Sequence, residues 1–200
     1  MSKTNILDEA ARSGYVHLAC HGYFNWGHDT LSSALLFANF AEHSPDNQES
    51  HLLLSDVIDR LFFEQTRLVT LSACETGLTK LGDLQDEFIG FPSGFMQAGA
   101  PAVISSLWTV DDLSTALLME MFYEYHIHEQ LPPVQALQKA QLWLRHYTYR
   151  KLNQYVESLL SLPLDRGWLI DKYKEISRHD NESCPFASPY YWAAFTFYGA

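Results

Sequence analysis

Two short stretches of this 200-residue chain end in residues capable of chemistry. The run YVHLAC (15–20) leads into His21-Gly22, and the run LVTLSA (68–73) leads into Cys74-Glu75-Thr76-Gly77. Each is a compact apolar segment that reads as a buried strand. In open parallel sheets, ligands gather outside the carboxyl ends of strands. If the two strands are neighbours, roughly 4.8 Å apart, an imidazole and a thiol face one crevice. An imidazole beside a thiol lowers the thiol pKa or supplies the proton to a leaving group, and the thiolate attacks a carbonyl carbon. Gly22 and Gly77 allow sharp turns and close approach of backbone to a substrate. The backbone N–H groups of Gly22 and Cys74 could then form an oxyanion hole for an acyl intermediate. Taken singly, each residue has a plainer reading: a small buried hydrophobe for the cysteine, a hydrogen-bonded structural residue for the histidine. Their occurrence at the same place on two strands favours the chemical one.

Other reactive side chains fit worse. Cys20 precedes His21 by one residue, so on a strand it points to the opposite face, towards a core. Cys184, in the loop-like ESCP, is incidental, and no paired CxxC spacing supports a zinc site. GFPSG (90–94) has its serine one place late for the GxSxG elbow of serine hydrolases. Lys80 stands six residues after Cys74, where a phosphatase loop needs arginine to grip phosphate with two hydrogen bonds. His126 and His128 fall on a helical pattern and read as solvated.

The elements that must position these residues alternate in type. A short helix over the first dozen residues has Ile6, Ala10 and Ala11 on one side. After the strand at 15–20 comes a second apolar run, LSSALLFA (31–38), and then a polar loop over 39–50. Ser55 or Asp56 caps a helix through about Leu61-Phe62, which feeds the strand at 68–73. A helix near Pro92 ends at Gly99 and precedes a strand at 101–108. Asp111, Asp112 and Ser114 are candidate caps for the next helix, whose inner stripe is Leu113, Leu117 and Met121. Pro132-Pro133 opens another, with Val134, Leu137, Ala140 and Leu144 on one face and an extension towards Leu160. Residues 161–190 read as loop-rich, and 191–199 as a final aromatic strand. Strands separated by helices predict an α/β architecture with a mainly parallel sheet, in a single domain spanning 1–200.

Composition narrows the function classes. With 47% hydrophobic and 18% charged residues, the chain is globular rather than disordered. A net charge of −11 without a basic stripe argues against direct nucleic-acid binding. No apolar run approaches the roughly 18 residues of a membrane span, and the N-terminus lacks the apolar core of a signal peptide. Three cysteines without a framework pattern point to a reducing compartment, the cytoplasm by default.

Spacing adds a further clue. His21 and Cys74 are 53 residues apart, and caspase-type enzymes place the histidine about 50 residues before the nucleophile. SACETG differs from the caspase signature QAC[RQG]G, which excludes the caspases proper. The ordered set HLACHG, LxSALLFA, LVTLSACETG, FMQAGAPAVISSLWTVDD, LLMEMFYEY and YYWAAFTFYG resembles the CHAT domain, a caspase-like family of cysteine peptidases of clan CD, related to separases. The likeness spans about residues 15–199.

That resemblance implies a three-layer α/β/α caspase-hemoglobinase fold and hydrolysis of peptide bonds by a His–Cys dyad. His21 and Cys74 match the two catalytic positions. Such a sheet begins with two strands before the histidine strand. Only fourteen residues precede YVHLAC, so the chain is expected to be the C-terminal portion of the fold, without those N-terminal strands. Relatives in the clan often bind Lys or Arg at P1 through an acidic S1 pocket, which gives Asp111 and Asp112 a second reading beside helix capping. Asp83, Asp86 and Glu87 could instead belong to a loop flanking the cleft. The chemistry calls for no metal or organic cofactor. The implied partners are a protein or peptide substrate and a helical-repeat sensor region or partner protein. Two rivals stay open: a non-catalytic interaction and signalling module, and another thiol enzyme such as a transpeptidase or deacylase.

Overall fold

The computed structural model describes residues 3–23, 25, 29–37, 48–72, 90–160, 170–171 and 174–199. They fall into two compact units, Met1–Val110 with Ala194–Ala200, and Asp111–Ala193.

In the first unit, helix α1 (Lys3–Arg12) precedes strand β1 (Tyr15–Ala19). Strands β2 (His21–Tyr23), β3 (Ala34–Leu36) and β4 (His51–Leu53) follow, then α2 (Leu54–Arg60), β5 (Leu68–Ser72), α3 (Phe91–Gln97), β6 (Ala102–Ser106) and β7 (Phe195–Gly199). The larger sheet has the order β1-β5-β6-β7. β1 and β6 each pair parallel with β5, and only β7 runs antiparallel. The smaller sheet, β2-β3-β4, is antiparallel throughout. This is the mixed α/β architecture with a mainly parallel sheet expected from the alternation of elements.

Strand alternation divides the labour of the two sheet faces. Val16, Val69, Leu71 and Val103 face a buried cluster that includes Leu7 and Ala10 of α1, Leu54 and Val57 of α2, and Phe91 and Phe95 of α3. The alternate residues, Tyr15, His17 and Ala19 on β1, and Leu68, Thr70 and Ser72 on β5, share the other face, where those of β1 are exposed. A strand in the middle of a parallel sheet needs apolar residues on both faces, and Leu68–Leu71 are accordingly all buried.

The helix ends follow from local chemistry. Asp56 reaches back to accept the Leu53 N–H at 3.1 Å, which starts α2 two residues earlier than a cap at Ser55 would. Ser93 Oγ accepts the Gly90 N–H at 3.0 Å, and Pro92 fits the first turn of α3, where no N–H is required. α3 ends at Gly99, whose φ of +106° lets the Ala100 N–H return to the Phe95 carbonyl at 3.0 Å.

The second unit is helical. α4 (Asp112–Tyr123) continues as a π-turn over Glu124–His128, followed by α5 (Pro133–Arg145), α6 (Tyr149–Leu160) and a short helix, Pro189–Trp192. α4 buries Leu113, Leu117, Leu118 and Phe122, so its stripe ends on Phe122 rather than the expected Met121. α5 buries Ala136, Leu137, Ala140 and Leu144, while Val134, in the first turn, is 51% exposed. α5 does not extend to Leu160. The chain breaks after Arg145, and the first N–H groups of α6 donate instead to the 181–183 turn, Tyr149 to Ser183 O and Arg150 to Asn181 O, both at 3.0 Å. The final strand is shorter than the aromatic run, because Ser188 and Pro189 open the short helix first. Among the described residues, no helix is long and apolar enough to cross a membrane.

Candidate active site

The two strands that precede His21 and Cys74 in the sequence are neighbours. β1 and β5 pair in parallel, and their last residues, Ala19 and Ser72, are opposite one another. After Ala19 the chain bends at Cys20 and enters the second sheet, where exposed His21 opens β2 opposite Leu36. His21 therefore sits on a short paired strand instead of in a loose turn. Gly22 follows opposite Leu35. Cys20 packs against the hydrophobic cluster, as strand alternation requires of a residue preceding an outward-facing histidine.

Cys74 follows Ser72 by two residues and lies outside the described residues, as do Gly77, Asp83, Asp86 and Glu87. The juxtaposition that is observed is thus between the strand ends, and between His21 and the rung from which it departs.

A polar pair not anticipated from the sequence lies just inside that rung. His17 Nε2 is 2.7 Å from Ser72 Oγ. In register, His17 is opposite Thr70 and Ser72 opposite Ala19, so the bond runs diagonally towards the carboxyl ends of both strands. Although solvent reaches one side of the ring, the surrounding sheet disfavours the charged imidazole and lowers the His17 pKa below the usual 6.5. The signal was present in the sequence. YVHLAC and LVTLSAC each interrupt an apolar run with a polar residue on the same strand face, and an imidazole near a hydroxyl can satisfy both.

Beside this pair runs a cleft of about 450 Å³ along β1. Tyr15, His17 and Cys20 line it with Ile6 and Ala10 of α1 and with Phe37. Its walls are largely apolar, the usual character of a pocket for a peptide or small organic group.

In the second unit, Asp111 is the N-cap of α4, its Oδ1 accepting the Ser114 N–H at 2.9 Å. Asp112, in the first turn, is exposed. The capping half of the two readings of this acidic pair is therefore present for Asp111. His128 is solvated, beside Glu124 at 3.9 Å. His126 differs from expectation: it stacks on Phe122 with ring centroids 5.7 Å apart and lies 2.8 Å from the Leu131 carbonyl through Nδ1. Among the described residues, no cluster of His, Cys, Asp and Glu is arranged to hold a metal ion.

A mainly parallel sheet with helices, in which the neighbouring strands β1 and β5 end two residues before His21 and Cys74 in the sequence, is consistent with a caspase-like α/β protein. The family model for the CHAT domain matches residues 1–200, and the chain belongs to that family of caspase-like peptidase-type modules. Comparison with curated proteins finds no match.

Proposed function

We propose that this CHAT domain is a cysteine endopeptidase that cleaves peptide bonds with Cys74 as nucleophile and His21 as acid and base. The observation that supports this reading is the rung Ala19–Ser72, from which His21 and Cys74 each follow by two residues. In the proposed reaction His21 accepts the thiol proton, and the Cys74 sulfur forms a bond to the scissile carbonyl carbon. The backbone N–H groups of Gly22 and Cys74 stabilise the resulting oxyanion. The C–N bond then breaks, and the amine leaves with the proton held by His21. Water, activated by His21, hydrolyses the thioester and restores the thiol. The sequence consists of proton transfer and acyl transfer, which side chains and backbone amides can perform.

Cleavage after Lys or Arg belongs to the same proposal, with the carboxylates of Asp111 and Asp112 recognising the basic side chain. Asp112 is exposed, whereas the Asp111 carboxylate already accepts a helix N–H. Preferential cleavage after acidic or apolar P1 residues would remove this part. The family resemblance further supports control by a sensor region or partner protein.

The decisive measurement is the rate of Cys74 alkylation by iodoacetamide across pH, in wild type and His21→Ala, resolved by mass spectrometry. Cys20, partly buried against the core, and Cys184 act as internal controls. The reading predicts that Cys74 reacts fastest, with an apparent pKa below about 7.5 that rises when His21 is lost. Reactivity no greater than that of Cys20 would hand the lead to a non-catalytic interaction module.

A further inference from the structure

We propose that His17 and Ser72 are positioning residues, whose hydrogen bond clasps the ends of β1 and β5 and fixes the spacing at which His21 and Cys74 leave them. This inference rests on the His21–Cys74 reading above and adds two residues to it.

The geometry places the clasp at the last rung of the β1–β5 pair among the described residues. Ala19 and Ser72 form the last rung, and beyond it β1 turns away into the second sheet through Cys20. Past Ala19, β1 therefore offers β5 no further strand backbone. The 2.7 Å contact between His17 Nε2 and Ser72 Oγ reaches diagonally across the last two same-face positions of the pair. It thereby resists both separation and sliding of one strand end against the other. Backbone hydrogen bonds in a parallel pair are slanted and somewhat weaker than in an antiparallel one, so a side-chain tie has most effect at a terminus. With His17 neutral, the contact forms whether the Ser72 hydroxyl donates to Nε2 or Nε2–H donates to the hydroxyl oxygen. A displacement of about 1 Å in reacting groups costs on the order of 100-fold in rate, which makes the spacing of the strand ends consequential.

Neither side chain is needed for the core. His17 and Ser72 belong to the face opposite the α1–α2–α3 cluster, and His17 is exposed. A clasp of this kind can be removed while the fold is kept.

The test compares Ser72→Ala, Ser72→Thr, His17→Ala and His17→Gln with wild type and His21→Ala, by the pH dependence of Cys74 alkylation. Melting temperature and near-UV circular dichroism monitor folding. Loss of either clasp residue should lower the Cys74 alkylation rate at pH 7 roughly tenfold, through a rise in the apparent thiol pKa. Ser72→Thr, which keeps the hydroxyl, should restore the wild-type profile. The double variant His17→Ala/Ser72→Ala should be no worse than either single one, because the two act through one bond. If His21→Ala raises the thiol pKa while the clasp variants match wild type, the clasp is wrong and the dyad stands. If His21→Ala changes nothing, the dyad reading fails and takes the clasp with it. Should an alanine variant not fold, Ser72→Thr and His17→Gln decide. Because Gln has an amide N–H that can reach Ser72, both should react like wild type, and a loss in both with an intact fold would overturn the proposal.

Discussion

Ala19 and Ser72 face one another as paired partners at the carboxyl ends of two parallel neighbours, β1 and β5. Strands 53 residues apart in sequence are thereby brought into one register, and the residues that follow them start from the same level. Parallel pairing of this kind needs a long crossover, here occupied by the small sheet and α2. His21 and Cys74, the proposed dyad, are remote in sequence because such a connection lies between the strands that precede them.

Replacement of the proposed nucleophile or its partner should abolish turnover without unfolding the chain. Cys74→Ala and His21→Ala are expected to reduce peptide hydrolysis by roughly 1,000-fold or more. His21 is exposed on a three-residue strand, so the melting temperature of His21→Ala should stay close to wild type. Peptides with Lys or Arg at P1, read by fluorescence and product mass, provide the assay. A His21→Ala enzyme that turns over normally would contradict the assignment.

Stability should fall in mild acid. His17 and His51 both have pKa values lowered by burial, and for His51 the Lys3 charge adds to this while Asp56 opposes it. A folded-state pKa below the unfolded 6.5 means that the unfolded chain binds more protons in the window between the two values. The stabilising contribution is therefore complete above about pH 6.5 and is lost as pH falls from there through the folded values. Melting temperature should be level above pH 7 and decline below pH 6.5, and His17→Gln should flatten part of that decline. An unchanged slope in His17→Gln would show that His17 takes no part.

The outline of the fold was legible because periodicity and punctuation agree. The apolar runs at 15–20, 68–73 and 101–108 each hold one strand, and Pro92 and Gly99 bracket α3. β5 and β6 are buried as expected, whereas β1 lies at the end of the described sheet and buries only Val16. What escaped was tertiary in origin. His21 looked like the start of a turn because a three-residue strand carries no periodicity, and β2 becomes a strand only by pairing with β3. The break between α5 and α6 is set by hydrogen bonds from Tyr149 and Arg150 to residues over 30 positions away, which no local pattern encodes. His17 and Ser72 were visible as polar interruptions, but their partnership depends on the β1–β5 register.

Gly99 should resist substitution. Its φ of +106° is one that L side chains rarely adopt, and an added Cβ would approach the Phe63 carbonyl oxygen to 3.2 Å. The same turn receives the Phe63 N–H on the Ala98 carbonyl at 2.8 Å, so the backbone cannot relax freely. Gly99→Ala should cost about 1 kcal/mol or more in urea unfolding. Gly14→Ala, where an added Cβ meets nothing within 4 Å, is the matched control. Equal losses in both would refute the conformational argument.

The wall of the cleft depends on a shielded ion pair. α1 supplies Ile6 and Ala10 to the cleft, and it is tied to α2 by Lys3 Nζ, 2.9 Å from Asp56 Oδ2, with side-chain exposures of 6% and 12%. Burial pushes the Asp56 carboxyl pKa up, but hydrogen bonds from Lys3 and the Leu53 N–H, the Lys3 charge and the Arg60 side chain hold it below its usual value. Asp56→Ala would leave the Lys3 ammonium buried without its partner and remove the acceptor for the Leu53 N–H. Breaking a buried pair from one side costs about 3–5 kcal/mol, whereas removing both charges is far milder. The double variant Lys3→Met/Asp56→Asn, which keeps an oxygen for Leu53, should therefore be clearly more stable than Asp56→Ala in urea unfolding. If the two are equally destabilised, the loss comes from the helix start alone, and the ion pair does not hold α1 against the cleft.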